Sequence, residues 1–374
     1  MNVCIVGGGH IGTALACYIK YFDSNKRVSL YTRRPEKFSK ILKCNDIEQK
    51  RTYNVELDVI SNNPLEAAGN ADIVFIALPH FAVEQAFMDI SHYVNDDAFI
   101  GVLPGGGGCE FFFYKYFKSS VSLFGFQRVP FTAKLVEYGK EVNLKSWKPY
   151  SVVGTLRRRE EEACRRIELC GLCTRKTDNY LAISLTPTNP ILHTSRTYEI
   201  FGAYDRAHEF ELHSKFYVGW TDKASQILFA MDNELHKLLD AISDIDTSAI
   251  RPLSEHYEAP TVKALTDKIN SIATFQSVFA PMKPSDSKAN TFIADTDSRM
   301  FTEDFPWGLA IIRSYCEFFN VHAPTMDELL EWYSNYMGLE WYINGKFCGK
   351  DLIYTGIPQR YGISTKEELL SFYY

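Results

Sequence analysis

Asn2-Val3-Cys4-Ile5-Val6-Gly7-Gly8-Gly9-His10-Ile11-Gly12 opens the chain, and Thr13-Ala14-Leu15-Ala16-Cys17-Tyr18-Ile19 follows at once. The apolar run Val3–Val6 reads as a strand. The small and apolar residues after Gly12 suit a buried helix, and Arg27-Val28-Ser29-Leu30-Tyr31-Thr32 reads as a second strand. Gly7, Gly9 and Gly12 therefore fit G-x-G-x-x-G in the strand–turn–helix context that this fingerprint requires. Gly7 allows a tight turn, Gly9 lets the backbone approach a pyrophosphate, and Gly12 lets helix and strand pack closely. His10 and Ile11 open the helix whose N-terminus would face the phosphates. The stretch predicts a bound dinucleotide.

The end of the second strand addresses which dinucleotide. An NAD site usually has Asp or Glu there, about 20 residues past the glycines, on the ribose 2′-hydroxyl. Here Thr32 occupies that place and Arg33 and Arg34 follow. Two guanidiniums suit a 2′-phosphate, which a planar fork grips well, so NADP(H) is expected over NAD(H).

Further apolar runs continue the pattern: Asp58–Ser61, Ala71–Leu78, Ala98–Leu103, Ser122–Phe126 and Ser151–Gly154, with helical segments near Pro64 and from Val83 to Ile90. The alternation predicts a doubly wound α/β sheet. Ligands of such sheets sit beyond the carboxyl ends of the strands, so Pro79-His80 and the second glycine loop, Pro104–Gly108, should border the dinucleotide. Pro79 is taken as a cofactor contact and His80 as a loop residue beside it. The stretch before Asp58 looks irregular and polar. Arg157–Glu168 is charged and helical, a solvated face.

After Tyr180 strand signals stop and helical periodicity takes over. This predicts a dinucleotide-binding domain over 1–180 and an all-α domain over 181–374. Asn189-Pro190 reads as a helix start with Asn189 as N-cap. Ala224, Ile227, Leu228, Met231, Leu235, Leu238 and Leu239 form an apolar stripe at helical spacing. Pro306 opens another helix. Thr325 with Glu328, and Thr365 with Glu368, read as capping boxes, and Gly338 as a helix stop. Lys283–Asp297 is expected to be a long loop.

The totals exclude several classes. With 374 residues, net charge −6 and 46% hydrophobic content, the chain is an ordinary globular protein. With pI about 5.9 it has no basic surface for nucleic acid. It has no span for a membrane and no signal peptide, so a cytoplasmic location is expected. Nine scattered cysteines do not make a disulfide framework, and Cys170-Gly171-Leu172-Cys173 has no second pair nearby, so no metal is expected.

A nicotinamide enzyme must move a proton as hydride moves, and histidine suits that task. Of nine histidines, His193 stands out, in Thr186-Pro187-Thr188-Asn189-Pro190-Ile191-Leu192-His193. A helix N-terminus disfavours imidazolium, so a buried histidine there needs a carboxylate to hold its tautomer. Asp304 is the candidate, in Arg299-Met300-Phe301-Thr302-Glu303-Asp304-Phe305-Pro306-Trp307-Gly308-Leu309, and spacing leaves Glu303 open beside it. Arg299 could clamp a substrate carboxylate in bidentate fashion.

These segments resemble the opine dehydrogenase family, the octopine and nopaline dehydrogenases, over nearly the full length. Asn189-Pro190-x-x-His193 resembles the family's Asn-Pro-x-x-His segment with its catalytic histidine. Glu303–Leu309 resembles its Glu-Asp-(apolar)-Pro-(aromatic)-Gly-Leu, whose aspartate pairs with that histidine. Phe216-Tyr217-x-Gly219-Trp220-Thr221 and Asp232-x-Glu234 also look like family features. The resemblance implies a Rossmann domain followed by a helical domain, with substrates held between them. It also implies that a 2-oxo acid and the amine of an amino acid condense to an imine that NAD(P)H reduces. His193 would be general acid and base, oriented by Asp304, and Arg299 would bind an anionic group. Gln127 and Arg128, in the turn Gln127–Phe131, would border the oxo-acid site. The family's turn often reads Thr-Leu-Pro-(aromatic), so Arg128 is a departure that suits an extra negative charge. Two rivals remain: an NADPH-dependent reductase of a simple 2-oxo acid, and a non-catalytic NADP(H) sensor. The oligomeric state is left open, a homodimer included.

Overall fold

The computed structural model describes residues 1–374 and divides into two compact units. The first is Met1–Ser184 together with Leu370–Tyr374, and the second is Leu185–Leu369. The expected division after residue 180 thus sits four residues early, and the chain's last five residues return to the first unit.

The first unit is built on an eight-stranded sheet. In chain order its strands and helices begin β1 (Asn2–Val6), α1 (His10–Phe22) and β2 (Arg27–Tyr31). Two strands absent from the sequence expectation follow, β3 (Leu42–Asp46) and β4 (Arg51–Val55). Then come β5 (Val59–Ser61), α2 (Pro64–Ala68), β6 (Ile73–Ile76), α3 (Val83–Ile90), β7 (Phe99–Val102), α4 (Glu110–Tyr116) and β8 (Ser122–Phe126). A further unexpected pair, β9 (Phe131–Glu137) and β10 (Glu141–Trp147), precedes β11 (Ser151–Thr155), α5 (Glu160–Leu169) and β12 (Thr174–Lys176). The main sheet runs β12-β11-β8-β7-β6-β1-β2-β5. From β5 to β8 it is parallel, with the strand order of a dinucleotide-binding fold, and β1/β6 is its switch point. β11 departs by running antiparallel to β8.

The unexpected strands form a second sheet, β4-β3-β10-β9. It packs on α1, which accounts for a helix that is buried on nearly all sides. Ala14, Leu15, Ala16, Cys17 and Ile19 share one core with Leu42, Cys44, Tyr53 and Val55 from β3 and β4, and with Phe131, Val142 and Leu144 from β9 and β10. These strands escaped the sequence reading because only alternate residues are buried, as in Leu42, Cys44 and Asp46. Moreover, β3 pairs with β10 about a hundred residues away, a partner that local patterning cannot reveal.

The second unit is mostly helical. After a short α6 (Leu181–Ser184) at the end of the first unit come α7 (Thr188–Phe201), α8 (Asp222–Ala241), α9 (Leu253–His256), α10 (Val262–Ser271), α11 (Arg299–Thr302), α12 (Ala310–Phe318), α13 (Pro324–Met337) and α14 (Lys366–Leu370). The apolar stripe of α8 is buried from Ala224 to Leu239 except at Ile227, which is half-buried. Two small antiparallel hairpins correct the all-helical expectation, Met282–Pro284 with Phe292–Ala294 and Tyr342–Ile343 with Lys346–Phe347. The first replaces the loop expected over Lys283–Asp297. No helix is long and apolar enough to cross a membrane.

Two capping expectations are corrected and two hold. Asn189 is not the N-cap of α7. The helix starts at Thr188 after Pro187, so Asn189 and Pro190 lie inside its first turn. Proline is tolerated there because the first turn's N–H groups have no intrahelical partner. Thr325 and Glu328 form no capping box either. The Thr325 and Met326 amides donate to the two carboxylate oxygens of buried Glu234 on α8, at 2.7 and 3.0 Å, while Glu328 accepts from the Tyr198 hydroxyl at 2.6 Å. A tertiary cap has displaced the local one. Glu234→Ala should therefore cost about 2 kcal/mol, the usual worth of hydrogen bonds to a charged group. Thr325→Ala should stay within about 0.5 kcal/mol, and denaturant midpoints check both. The capping box at Thr365 and Glu368 is present, and Gly338 ends α13 in the left-handed conformation at φ 69°.

Candidate functional site

In the first unit the glycine loop forms as its spacing requires. Gly7 sits at φ 108°, and a Cβ there would lie 2.7 Å from the Ala77 carbonyl oxygen. A Cβ on Gly12 would lie 1.9 Å from the Gly7 oxygen, so the helix can approach the turn only as glycine. Gly9, by contrast, has open space where its Cβ would be. It is the N-cap of α1 and offers no side-chain cap, which leaves the first-turn amides for an anion. A tight turn, an open approach and uncapped amides are what a pyrophosphate needs, and the loop fits one.

The neighbouring predicted residues line up along the same edge. β1 and β2 pair through Val6 and Tyr31, so Thr32 emerges beside the glycine loop. Arg33 and Arg34 follow and are exposed. Pro79 lies just past β6, across the switch point from β1. The His80 Nε2 is 3.3 Å from the Pro104 carbonyl, and its ring lies where a Cβ on Gly107 would fall. The two loops expected at this edge are thus in contact. The His10 Nδ1 accepts the Leu135 amide at 3.0 Å, tying the glycine loop to β9. Ile11 packs against the core. Gln127 and Arg128 lie immediately past β8, where the Gln127 amide donates to the Val152 carbonyl at 2.9 Å.

In the second unit two separate motifs meet. The His193 Nδ1 is 2.7 Å from the Asp304 Oδ2, with side-chain exposures of 16% and 12%. His193 lies in the second turn of α7. Asp304 precedes a π-helical turn, Phe305–Leu309, whose residues are buried. The motifs touch at Gly308, where a Cβ would lie 3.0 Å from the Pro190 ring. Glycine here and proline there let the turn settle onto α7, which brings the carboxylate to the imidazole. Spacing had left Glu303 open, but Glu303 is turned away to accept from the Arg299 Nε. Arg299 is 65% exposed at its side chain. Burial pushes the Asp304 carboxyl above the usual carboxylate range, and His193 opposes that shift.

The residue that carried no assigned role is Tyr217. Its hydroxyl is 2.7 Å from the His193 Nε2. The Phe275 ring stacks on it at 4.0 Å, and burial raises its own pKa well above the usual tyrosine value. Arg196, three residues along α7 from His193, holds the loop that delivers it. The Arg196 Nε donates to the Phe216 carbonyl at 2.8 Å and its Nη2 to the Gly219 carbonyl at 3.0 Å. Glu199, one turn further, pairs with Arg196 and accepts from Thr221 at 3.2 Å. His193, Arg196 and Glu199 recur at helical spacing on one face of α7. The Phe216–Thr221 motif marked this loop in the sequence, but the contact itself required the fold.

With Asp304 ionised, Nδ1 carries the ring hydrogen and Nε2 is an acceptor, to which the Tyr217 hydroxyl donates. An imidazole fixed in this way can take a proton at Nε2 and return it.

Residues 176–337 match the model for the NAD/NADP octopine/nopaline dehydrogenase alpha-helical domain. Residues 2–105 match that for the NAD-dependent glycerol-3-phosphate dehydrogenase N-terminus. The chain is 27% identical to tauropine dehydrogenase of Arabella iricolor, covering 98% of this chain and 99% of that one. It is 25% identical to opine dehydrogenase of Haliotis discus hannai, covering 99% and 98%. A solved octopine dehydrogenase with NADH and L-arginine shares the fold, at TM-score 0.86 and 23% identity over 99% of this chain and 98% of that one. With its glycine loop, its helical second unit and its full-length relatives, the chain is similar from end to end to the opine dehydrogenases.

Proposed function

We propose that this chain catalyses the reductive condensation of a 2-oxo acid with the amino group of an amino acid. The observation that carries this reading is the His193 imidazole, held at Nδ1 by Asp304 and hydrogen-bonded at Nε2 to the Tyr217 hydroxyl. The amine nitrogen bonds to the keto carbon and gives up one proton, the keto oxygen leaves as water with that proton and one more from solvent, and the resulting protonated imine takes a hydride at carbon to give a secondary amine. A bound nicotinamide dinucleotide would supply that hydride. Gly9, His10, Ile11 and Gly12 would hold its pyrophosphate at the uncapped first turn of α1, Gly7 making the tight turn with its own amide bonded to the Tyr31 carbonyl, and Pro79 would border it. His193 relieves the attacking amine of its proton and protonates the departing oxygen. Asp304 holds the tautomer and balances the imidazolium. Arg299, Gln127 and Arg128 meet the anionic groups of the substrates.

The expected cofactor is NADP(H) in preference to NAD(H), because Thr32, Arg33 and Arg34 replace the usual carboxylate. NADPH should bind more tightly than NADH, by about tenfold or more given the worth of one charge-assisted hydrogen bond. Replacing Arg33 and Arg34 by alanine should close most of that gap, measured by fluorescence titration. Equal affinities in the unchanged protein would end the NADP(H) assignment.

The deciding assay is NADPH consumption with a 2-oxo acid, with and without a mixed amino-acid pool. Consumption only when both are present is the expected result. Consumption with the oxo acid alone would instead make the chain a hydroxy-acid-forming reductase.

A further inference from the structure

The second sheet of the first unit has no role in the reaction as described, yet its hairpin reaches the end of β2. The β9–β10 turn is Tyr138-Gly139-Lys140. Gly139 lies at φ 74°, and a Cβ on it would fall 2.1 Å from the Lys37 carbonyl oxygen. Its own carbonyl accepts the Ser39 amide at 2.8 Å. The hairpin tip is therefore clamped onto the segment that follows Arg34. This clamp places Tyr138. Its ring meets Phe38 edge-on, with centroids 5.2 Å apart, and its hydroxyl is 3.4 Å from the Thr32 Oγ1. The Arg34 guanidinium carbon lies over the same ring, 4.7 Å from its centroid. Phe38 in turn sits where a Cβ on Gly8 would fall, 2.6 Å away. Glycine loop, Phe38, Tyr138, Arg34 and Thr32 thus form one continuous surface.

We infer that Tyr138 is a cofactor-specificity residue, whose ring holds Arg34 in place to receive the 2′-phosphate of NADP(H). This rests on the NADP(H) reading above and adds the element that sets it. An exposed arginine on a flexible stem must lose rotamer freedom to grip a phosphate. One already stacked on a ring has lost much of it, while both edges of its fork stay available for hydrogen bonds. No carboxylate pairs with Arg34, so its charge is not already spent. The inserted sheet is then the part of the fold that tells one dinucleotide from the other, through a residue more than a hundred positions from the glycine loop.

Calorimetric titration of the full chain with 2′,5′-ADP and with 5′-ADP tests this without turnover. Tyr138→Leu, which removes the ring, should weaken 2′,5′-ADP by about tenfold and leave 5′-ADP unchanged, as expected when only a preorganised contact is lost. Tyr138→Phe, which keeps the ring, should retain the preference. In an Arg34→Ala background, Tyr138→Leu should add nothing, because the two residues act as one unit. The unchanged 5′-ADP affinity is the internal control for folding. If Arg34→Ala abolishes the preference but Tyr138→Leu keeps it, the role of Tyr138 is overturned and the NADP(H) reading stands. If the unchanged protein binds both nucleotides equally, the NADP(H) reading fails and this inference with it. Loss of both affinities in Tyr138→Leu would make the ring a structural prop and also overturn the inference.

Discussion

His193→Ala should lower the rate of reductive condensation by about 10²–10⁴-fold, the usual contribution of a positioned general acid or base. Dinucleotide affinity should stay near normal, because the glycine loop belongs to the other unit of the chain. The same split separates the enzyme from a sensor. A protein that only reports cofactor level would bind as before and have no turnover to lose. The substitution also leaves Asp304 without its imidazole. Burial already pushes that carboxyl up and His193 is the main opposing influence, so in the variant it should shift further toward the neutral acid. An infrared band for a protonated carboxyl, present in His193→Ala at neutral pH and abolished when Asp304→Asn is added, would report this directly. Turnover unchanged by His193→Ala would remove the acid–base assignment altogether.

Asp304→Asn should cost nearly as much, again about 10²–10⁴-fold, and for a different reason. The amide keeps the shape of the carboxylate but can turn an N–H toward the His193 Nδ1. The ring hydrogen then moves to Nε2, where it faces the Tyr217 hydroxyl 2.7 Å away. The nitrogen that should accept a proton becomes a donor, and the carboxylate that balanced an imidazolium is gone. Because the side chain is isosteric, thermal stability and dinucleotide binding should change little. The double variant His193→Ala/Asp304→Asn should be no slower than His193→Ala alone, since the two residues act as a unit. Additive losses would mean that Asp304 serves the reaction by some route other than the imidazole.

Much of this protein was legible without coordinates because its signals are local. A strand, a glycine turn and a helix within Asn2–Phe22 announce a dinucleotide fold by steric rules alone. At Gly12 those rules leave no room for any side chain. The alternation of buried strands with helices up to Phe126, the stripe of α8 and the capping box at Thr365 were readable for the same reason. So were the two segments carrying His193 and Asp304, although spacing could not choose between Asp304 and Glu303. The choice depends on Gly308 seating the π-helical turn against Pro190, which turns one carboxylate to the imidazole and the other to Arg299.

What the sequence determined by itself is the chemistry it carries: a glycine cradle for a dinucleotide, arginines in place of an acid after β2, and a histidine and an aspartate in recognisable surroundings. What only the tertiary structure decided is which distant groups complete those features. Glu234 caps α13 from another helix, Tyr217 is swung onto His193 by Arg196, and the β9–β10 hairpin sets Tyr138 under Arg34. Each is a contact between residues far apart in the chain. Local propensity and periodicity report only on near neighbours, so such contacts exist in no stretch of sequence until packing brings their partners together.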